Sequence, residues 1–149
     1  MTMNKIVLTI IVDNYAANNL AAEHGYSLHL ATPQGKALLD TAQTNLLVEN
    51  AERLNIDLNR VSSLILSHGH YDHTGGVSNL LKINDHLDIF FHESALQERY
   101  SLDGEEPKVV KMGNRARVSI QNYPDNHKHL VTNPEEVLEN LWVTGPVPR

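Results

Sequence analysis

Residues 61–83, VSSLILSHGHYDHTGGVSNLLKI, join two apolar stretches through a histidine-rich loop. The first stretch predicts a strand and the last predicts a helix. Between them, His68, His70, Asp72 and His73 fill four of six consecutive positions. Packing alone gives little reason to place four ligand-type side chains between a strand and a Gly-Gly pair. The loop therefore favours a metal site.

The spacing within the loop suits ions held at two neighbouring points. Side chains at i and i+2 of an extended segment point to the same side, so His68 and His70 can face one ion. Asp72 and His73 follow at a turn and can reach a second ion nearby. Imidazole and carboxylate are ligands for Zn²⁺, Mn²⁺ and Fe. Two ions roughly 3.5–4 Å apart would lower the pKa of a bridging water and make it a nucleophile at neutral pH.

Length and composition exclude some kinds of site, partner and compartment and favour others. A chain of 149 residues is most simply one domain, residues 1–149. It contains no cysteine, which excludes disulfides and thiolate ligands. The net charge of −6, without a Lys/Arg block, disfavours a nucleic-acid partner. The apolar start KIVLTIIVDN is too short to span a bilayer and has no basic leader, so we expect a cytoplasmic protein without a membrane partner.

The order of the elements predicts an α/β fold. The first two-thirds of the chain indicates β-β-β-α-β-α-β-α, which is typical of a layered domain with a mixed sheet. The β-branched run at residues 5–12 predicts a strand covered on both faces. Apolar residues at helical spacing predict an amphipathic helix from about Asn45 to Asn55. Farther on, KVVKM and ARVSI predict a hairpin across a GN turn, and NLWVTG predicts a last strand.

The loop pattern His-x-His-x-Asp-His after a strand is similar to the signature of the metallo-β-lactamase fold superfamily. Four further stretches resemble, in order and spacing, the branch of metal-dependent hydrolases related to ribofuranosylaminobenzene-phosphate synthases of methanopterin biosynthesis. They are VDN (12–14), AEHGYSLHL (22–30), LLDTAQT (38–44) and WVTGPVPR (142–149). The resemblance implies a mixed sheet with flanking helices, which is one αβ half of an αββα sandwich. It implies a metal-dependent hydrolase that uses a metal-bound hydroxide on an ester, lactone or phosphoester.

The same resemblance assigns roles to the loop residues. It implies that His68 and His70 bind the first ion and that Asp72 and His73 bind the second. Asp72 would also be catalytic, because it would orient the attacking water. We expect one or two ions, zinc first, with manganese or iron as alternatives. A small-molecule substrate would bind over this site.

Residues outside the loop acquire expectations from the resemblance as well. Asp40 would lie beneath the loop and fix the orientation of a ligand through a hydrogen bond. Glu23 and His24 would lie in a loop that faces the pocket and could contact substrate, although a surface pair is almost as good an explanation. Ala42 stands where the family usually has glycine. A left-handed turn there would cost alanine about 1 kcal/mol or more, so the local geometry could differ.

The resemblance also implies that the chain is truncated at its C-terminal half, where the family carries further ligands. A homo-oligomer or a second chain would then supply what is missing. His127 and His129 repeat the i, i+2 spacing and could serve across an interface, but they match an ordinary strand-and-loop stretch of the family. Two other readings stay open: a non-catalytic half-domain or interaction module with vestigial ligands, and a metal sensor whose loop orders around one ion.

Overall fold

The structure, a computed structural model, describes residues 5–147. Its strands are β1 (Val7–Val12), β2 (Ser27–Thr32), β3 (Gly35–Leu39), β4 (Ser63–Ile65), β5 (Asp88–Phe91), β6 (Tyr100–Ser101), β7 (Lys108–Val109), β8 (Lys128–Leu130), β9 (Glu135–Leu138) and β10 (Leu141–Val143). Its α-helices are α1 (Leu46–Arg53), α2 (Tyr71–Thr74), α3 (Val77–Ile83) and α4 (Asn114–Gln121). Short 3-10 turns cover Leu58–Arg60, Glu93–Leu96 and Asp125–His127.

A six-stranded mixed sheet organises the molecule. Its strand order is β1-β2-β3-β4-β5-β8. Strand β2 is antiparallel to both β1 and β3, whereas β3, β4, β5 and β8 run parallel to one another. The carboxyl ends of the parallel strands therefore meet at one edge of the sheet, and the histidine loop leaves β4 at that edge. The predicted α/β class and mixed sheet are confirmed.

Helices cover one face of the sheet and form the main core with it. Leu38 and Leu64 from the strands are fully buried there, as are Leu47 and Leu80 from α1 and α3. Helix α1 forms because its apolar residues recur at helical spacing, so that Leu47 and Ala51 both face the sheet. The helix predicted from about Asn45 to Asn55 is confirmed.

The opposite face is covered over only part of its width. The β9–β10 hairpin packs on the β5 side, where Phe90, Val131 and Val137 form a second small core. At the other side, Leu8 and Ile10 of β1 remain 61% and 50% exposed. The prediction that residues 5–12 are covered on both faces was wrong, because β1 is an antiparallel edge strand beyond the reach of the hairpin.

The hairpin predicted from KVVKM and ARVSI was also wrong. Lys108–Val109 is β7, which pairs with β6 instead. ARVSI lies in α4, where Ala116 and Ile120, four residues apart, are both buried. The helical spacing of these two residues let α4 pack against α3, and this tertiary packing outweighed the β-branched residues of the segment. The last predicted strand is confirmed as β10.

The helices are short compared with a membrane span. The longest helices, α1 and α4, have eight residues each. No helix within residues 5–147 is long and apolar enough to cross a membrane.

Candidate metal centre

Two strand ends bring the candidate residues together. Asp40 directly follows β3, and the loop with the three histidines follows β4. Asp40 has a φ of 59°, a left-handed conformation that Asp tolerates better than most residues. Its backbone N–H donates to the carbonyl of Ile65 at 2.9 Å, which ties the end of β3 to the end of β4. The side chain is thereby placed under the loop.

Asp40 is 1% exposed, and its carboxylate accepts three hydrogen bonds. The backbone N–H of Ser67 donates to Oδ1 at 2.8 Å, and the Ser67 hydroxyl donates to Oδ2. His73 Nδ1 lies 2.7 Å from Oδ2. Because a carboxylate only accepts, His73 Nδ1 must carry a proton. Asp40 thus anchors the loop at both of its ends.

The same hydrogen bonds determine which nitrogen each imidazole leaves free. The Ser67 hydroxyl has one proton and gives it to Asp40, so its oxygen accepts from His68 Nδ1, which lies 2.8 Å away. His68 and His73 therefore both carry their proton on Nδ1. In the neutral rings, Nε2 keeps its lone pair for another partner. This is the state in which histidine binds a metal ion.

The three imidazoles of the loop stand close together. The ring centroids of His68 and His70 are 4.4 Å apart, and those of His68 and His73 are 4.2 Å apart. Burial lowers the pKa of His68, and the neighbouring rings of His73 and His70 lower it further, which favours the neutral ligand form. The hydrogen bond that His73 Nδ1 donates to Asp40 raises the pKa of His73, against the effect of burial.

Asp72 completes the cluster from the opposite side of His73. Its side chain is nearly buried, and Oδ2 lies 3.5 Å from His73 Nε2 and 3.2 Å from His24 Nε2. His73 thus stands between two carboxylates, Asp40 at Nδ1 and Asp72 at Nε2. The structure brings His24 beside the loop, where its partner is Asp72.

Close backbone contacts hold the loop from both sides. A Cβ at Gly69 would lie 1.9 Å from the carbonyl oxygen of Ala95, and one at Gly75 would lie 1.8 Å from that of Gln43. Neither distance is possible for a real side chain. Glycine is required at both positions so that neighbouring chain segments can approach, and this approach fixes where the imidazoles stand.

Ala42 and Glu23 both shape the segment before α1. Ala42 does adopt the left-handed turn, with a φ of 59°, and its N–H and carbonyl both bond to neighbouring segments. The turn forms without glycine there, and the alanine carries the strain. Glu23 accepts from the backbone N–H groups of Gln43 and Thr44 at 3.0 and 2.9 Å. Both its oxygens have partners within the chain, so Glu23 holds this loop in place.

Other histidines lie elsewhere. His127 Nδ1 pairs with Asp88 Oδ1 at 2.8 Å, and His129 Nε2 lies 3.5 Å from the same oxygen. Asp88 begins β5, at the opposite end of the parallel strands from the loop. Within this chain, His127 and His129 therefore contribute nothing to the loop cluster.

Sequence reasoning missed Ser67, whose hydroxyl links Asp40 to His68. Its position next to His68 was visible, but serine at a strand end has many roles and gives no specific signal.

The donor set fits a divalent ion. Ligand atoms of Asp40, His68 and His73 lie within 4.8 Å of one another. The oxygens of Asp40 are already occupied by hydrogen bonds, so we take its role as orienting the two imidazoles. Their free Nε2 atoms, the His70 ring and the nearly buried Asp72 then remain as nitrogen and oxygen donors, the types that zinc binds.

The family model described as the metallo-beta-lactamase superfamily matches residues 23–149. An uncharacterized protein of Methanocaldococcus jannaschii is 24% identical over 96% of this chain and 54% of its own length. The 7,8-dihydropterin-6-methyl-4-(beta-D-ribofuranosyl)-aminobenzene-5'-phosphate synthase of the same organism is 29% identical over 69% of this chain and 38% of its own length.

A solved structure shows the same fold. A protein described as a metal-dependent hydrolase of the beta-lactamase superfamily superposes with a TM-score of 0.66 and 22% identity. The match covers 95% of this chain and 48% of that one. The chain thus spans about half the length of the relatives it matches.

Proposed function

The chain belongs to the metallo-beta-lactamase superfamily, and from this premise we propose that it is a metal-dependent hydrolase acting on an ester, lactone or phosphoester. The observation that carries the proposal is the hydrogen-bond arrangement at Asp40. That carboxylate places a proton on Nδ1 of His73 and, through Ser67, on Nδ1 of His68, and so leaves both Nε2 atoms as electron-pair donors. A packing role for these histidines would need no such control of their protonation.

In this proposal His68 and His70 hold one ion, and Asp72 and His73 hold a second. Zinc is the first candidate because nitrogen and oxygen donors suit it, with manganese or iron as alternatives. A divalent ion bound there supplies a Lewis acid that polarises the substrate oxygen and lowers the pKa of a water molecule.

The protein groups orient the reactants and move the proton. In this proposal Asp72 accepts the proton of the attacking water, because its Oδ2 lies 3.5 Å from His73 Nε2, beside the loop imidazoles. Asp40 holds His73 against rotation during the reaction. Burial of both carboxylates keeps their charges effective by limiting contact with bulk water.

Metal loading and a substrate panel test this function. We would dialyse the purified chain against zinc, measure bound metal, and assay p-nitrophenyl acetate, a butyrolactone and bis-p-nitrophenyl phosphate. His68→Ala should lose the metal and lower any hydrolysis at least about 100-fold, whereas the exposed His86→Ala should change neither. Fewer than about one ion per ten chains, or equal hydrolysis by His68→Ala, would overturn the proposal.

We also propose that a second copy of the chain covers the open side of the sheet. The register places Leu8 opposite Leu30, and Ile10 opposite Leu28, so that these side chains share one face. Leu39 extends that surface into β3. This surface, the β1–β3 apolar face, carries no charged residue along its two rows, so two copies can meet without burying a charge.

A further inference from the structure

A cleft of about 830 Å³ leads away from the histidine loop. Ser67, His68 and Gly69 line it, and so does the chain after β10, including Gly145 and Val147. His68 is the candidate ligand that faces it. A molecule held in this cleft would therefore lie against His68 of the proposed centre.

The charged side chains that line the cleft are of one sign, positive. Among the described residues that line it, Arg99 is the only Arg or Lys, and none is Asp or Glu. Arg99 also has no carboxylate within 4.0 Å in residues 5–147, whereas the nearby Lys111 pairs with Glu98. The chain has a net charge of −6, so most of its surface repels anions. A half-buried guanidinium without an acidic partner instead attracts an anion and can donate charge-assisted hydrogen bonds to it.

The position of Arg99 is fixed relative to the loop. Its Nη2 donates to the carbonyl of Ser94 at 3.1 Å, and Ser94 precedes Ala95, the residue that contacts Gly69. Its own backbone carbonyl accepts from Val110 N–H at 2.9 Å, and the carbonyl of Val110 accepts from Tyr71 N–H at 3.1 Å. Side chain and backbone thus both connect Arg99 to the loop. Only one of the five guanidinium N–H donors is used by Ser94.

Aromatic and apolar side chains also line the cleft. Trp142 of β10 lines the cleft and is 60% exposed. Covering its large apolar ring would be favourable, because the ring would leave water. Phe90 and Pro146 line the same cleft. A flat or apolar group lying there would cover the indole ring, while an anionic group on the same molecule could reach Arg99.

We propose that Arg99 and Trp142 form a recognition subsite for an organic anion, a planar or apolar molecule that carries a phosphate or carboxylate. The inference rests on the proposed function only in calling that molecule the substrate. Arg99 binds the anionic group through its planar fork of donors, which matches both phosphate and carboxylate. Trp142 covers the organic part, and the labile bond lies toward His68.

Fluorescence of Trp142, the only tryptophan of the chain, tests the subsite without catalysis. We would titrate the metal-free protein with phenylphosphonate at pH 8 and use benzyl alcohol as the neutral probe. Phenylphosphonate should change the emission, and Arg99→Met should weaken its binding about tenfold. Lys111→Met, which removes a nearby cation that is already paired, should bind as the wild type does. Arg99→Lys should fall between the wild type and Arg99→Met, because it keeps the charge but not the fork.

Two results would overturn the subsite: binding of phenylphosphonate that Arg99→Met leaves unchanged, or equal binding of benzyl alcohol. Urea unfolding of each variant shows whether Arg99→Met is folded. If it is not, the comparison of Arg99→Lys with the wild type decides. Because the titration uses metal-free protein, a failure of zinc binding would reject the hydrolase and leave the subsite standing. Conversely, a zinc-loaded hydrolase with an unchanged Arg99→Met titration would reject the subsite alone.

Discussion

Asp40 is the residue on which the proposed chemistry depends most. Its left-handed backbone turns a carboxylate under the loop, where it accepts from Ser67 and His73 at once. Any replacement has to keep that backbone, and asparagine does so because it tolerates positive φ nearly as well as aspartate. Asparagine is therefore the substitution that separates the carboxylate from the turn.

Asp40→Asn should weaken zinc binding about 10–100-fold. The amide has one acceptor oxygen in place of two, so either Ser67 or His73 loses its partner and the imidazole is no longer held. Competition with a chelating indicator measures the change. The matched control is Asp85→Asn, which alters an exposed carboxylate. Zinc affinity equal to that of the wild type in Asp40→Asn would contradict the assigned role.

His29 gives a prediction for pH. Its side chain is 5% exposed on β2, and within the described chain its Nε2 has no hydrogen-bond partner. Burial lowers the pKa of His29, and the charge of Lys36 lowers it further. His29 is therefore protonated more readily in the unfolded chain than in the folded one. The neutral form of His29 contributes its full share to the free energy of unfolding above about pH 6.5, and that share is lost as the pH falls through the lowered folded pKa.

His29→Leu should remove that dependence. We expect a gain of about 1 kcal/mol in the free energy of unfolding at pH 8, because a buried unpaired nitrogen is removed, and a larger gain at pH 5. Urea unfolding at the two pH values measures both. His86→Leu, at a side chain that is 89% exposed, should show no difference in gain between them. An equal gain for His29→Leu at pH 5 and pH 8 would contradict the assignment.

The sequence allowed the loop cluster to be located but not its supports. His68, His70, Asp72 and His73 are neighbours along the chain, so their proximity needed only the i, i+2 geometry of a strand end. Arg99 and Trp142 come to the cleft through contacts between distant segments, which local spacing does not encode. The role of Asp40 was accessible only because a family resemblance stood in for that missing tertiary information.

At the scale of elements, the loop is held by the segments packed against it. Gly69→Ala would place a methyl carbon against the carbonyl of Ala95, so either the loop or the Glu93–Leu96 turn must move. We expect a loss of about 1–3 kcal/mol in the free energy of unfolding, as is typical of overpacked cores, together with weaker zinc binding. Urea unfolding and zinc titration measure the two effects.

Gly113→Ala is the control for that substitution. Within residues 5–147, and apart from its own chain neighbours, no atom lies within 4 Å of its added Cβ, and the residue precedes α4 with a negative φ. The same chemical change there should leave stability unchanged or raise it by up to about 1 kcal/mol. If Gly69→Ala and Gly113→Ala behave alike, the close packing of the loop does not determine its geometry.

Elements were predictable where periodicity and burial agreed. Leu47 and Ala51 repeat at helical spacing and face a sheet, so α1 followed from the sequence. The ARVSI segment carries β-branched residues that suggested a strand, but Ala116 and Ile120 gave it a buried helical face once α3 was beside it. In β1, an apolar run alone did not reveal which face would remain open.

In the molecule as a whole, the open side of the sheet is where most hydrophobic stabilisation is lost to water. Apolar side chains in the β1–β3 apolar face lose hydrophobic stabilisation of about 25 cal/mol for each Å² left in water. The β9–β10 hairpin covers the other side of the same face, which shows that this sheet surface packs well when an apolar layer is available. A second copy would bring such a layer, and its edge strand as well.

The chain should therefore have twice its monomer mass in solution, as measured by light scattering after size exclusion. Leu8→Lys with Ile10→Lys should return it to the monomer, because the dimer would have to bury two lysines per copy. Both side chains are at least half exposed, so the folded monomer should tolerate them. Val118→Lys, at an exposed apolar position on α4, should leave the mass unchanged. A monomeric wild type, or a double variant that stays dimeric, would show that this face is not where two copies meet.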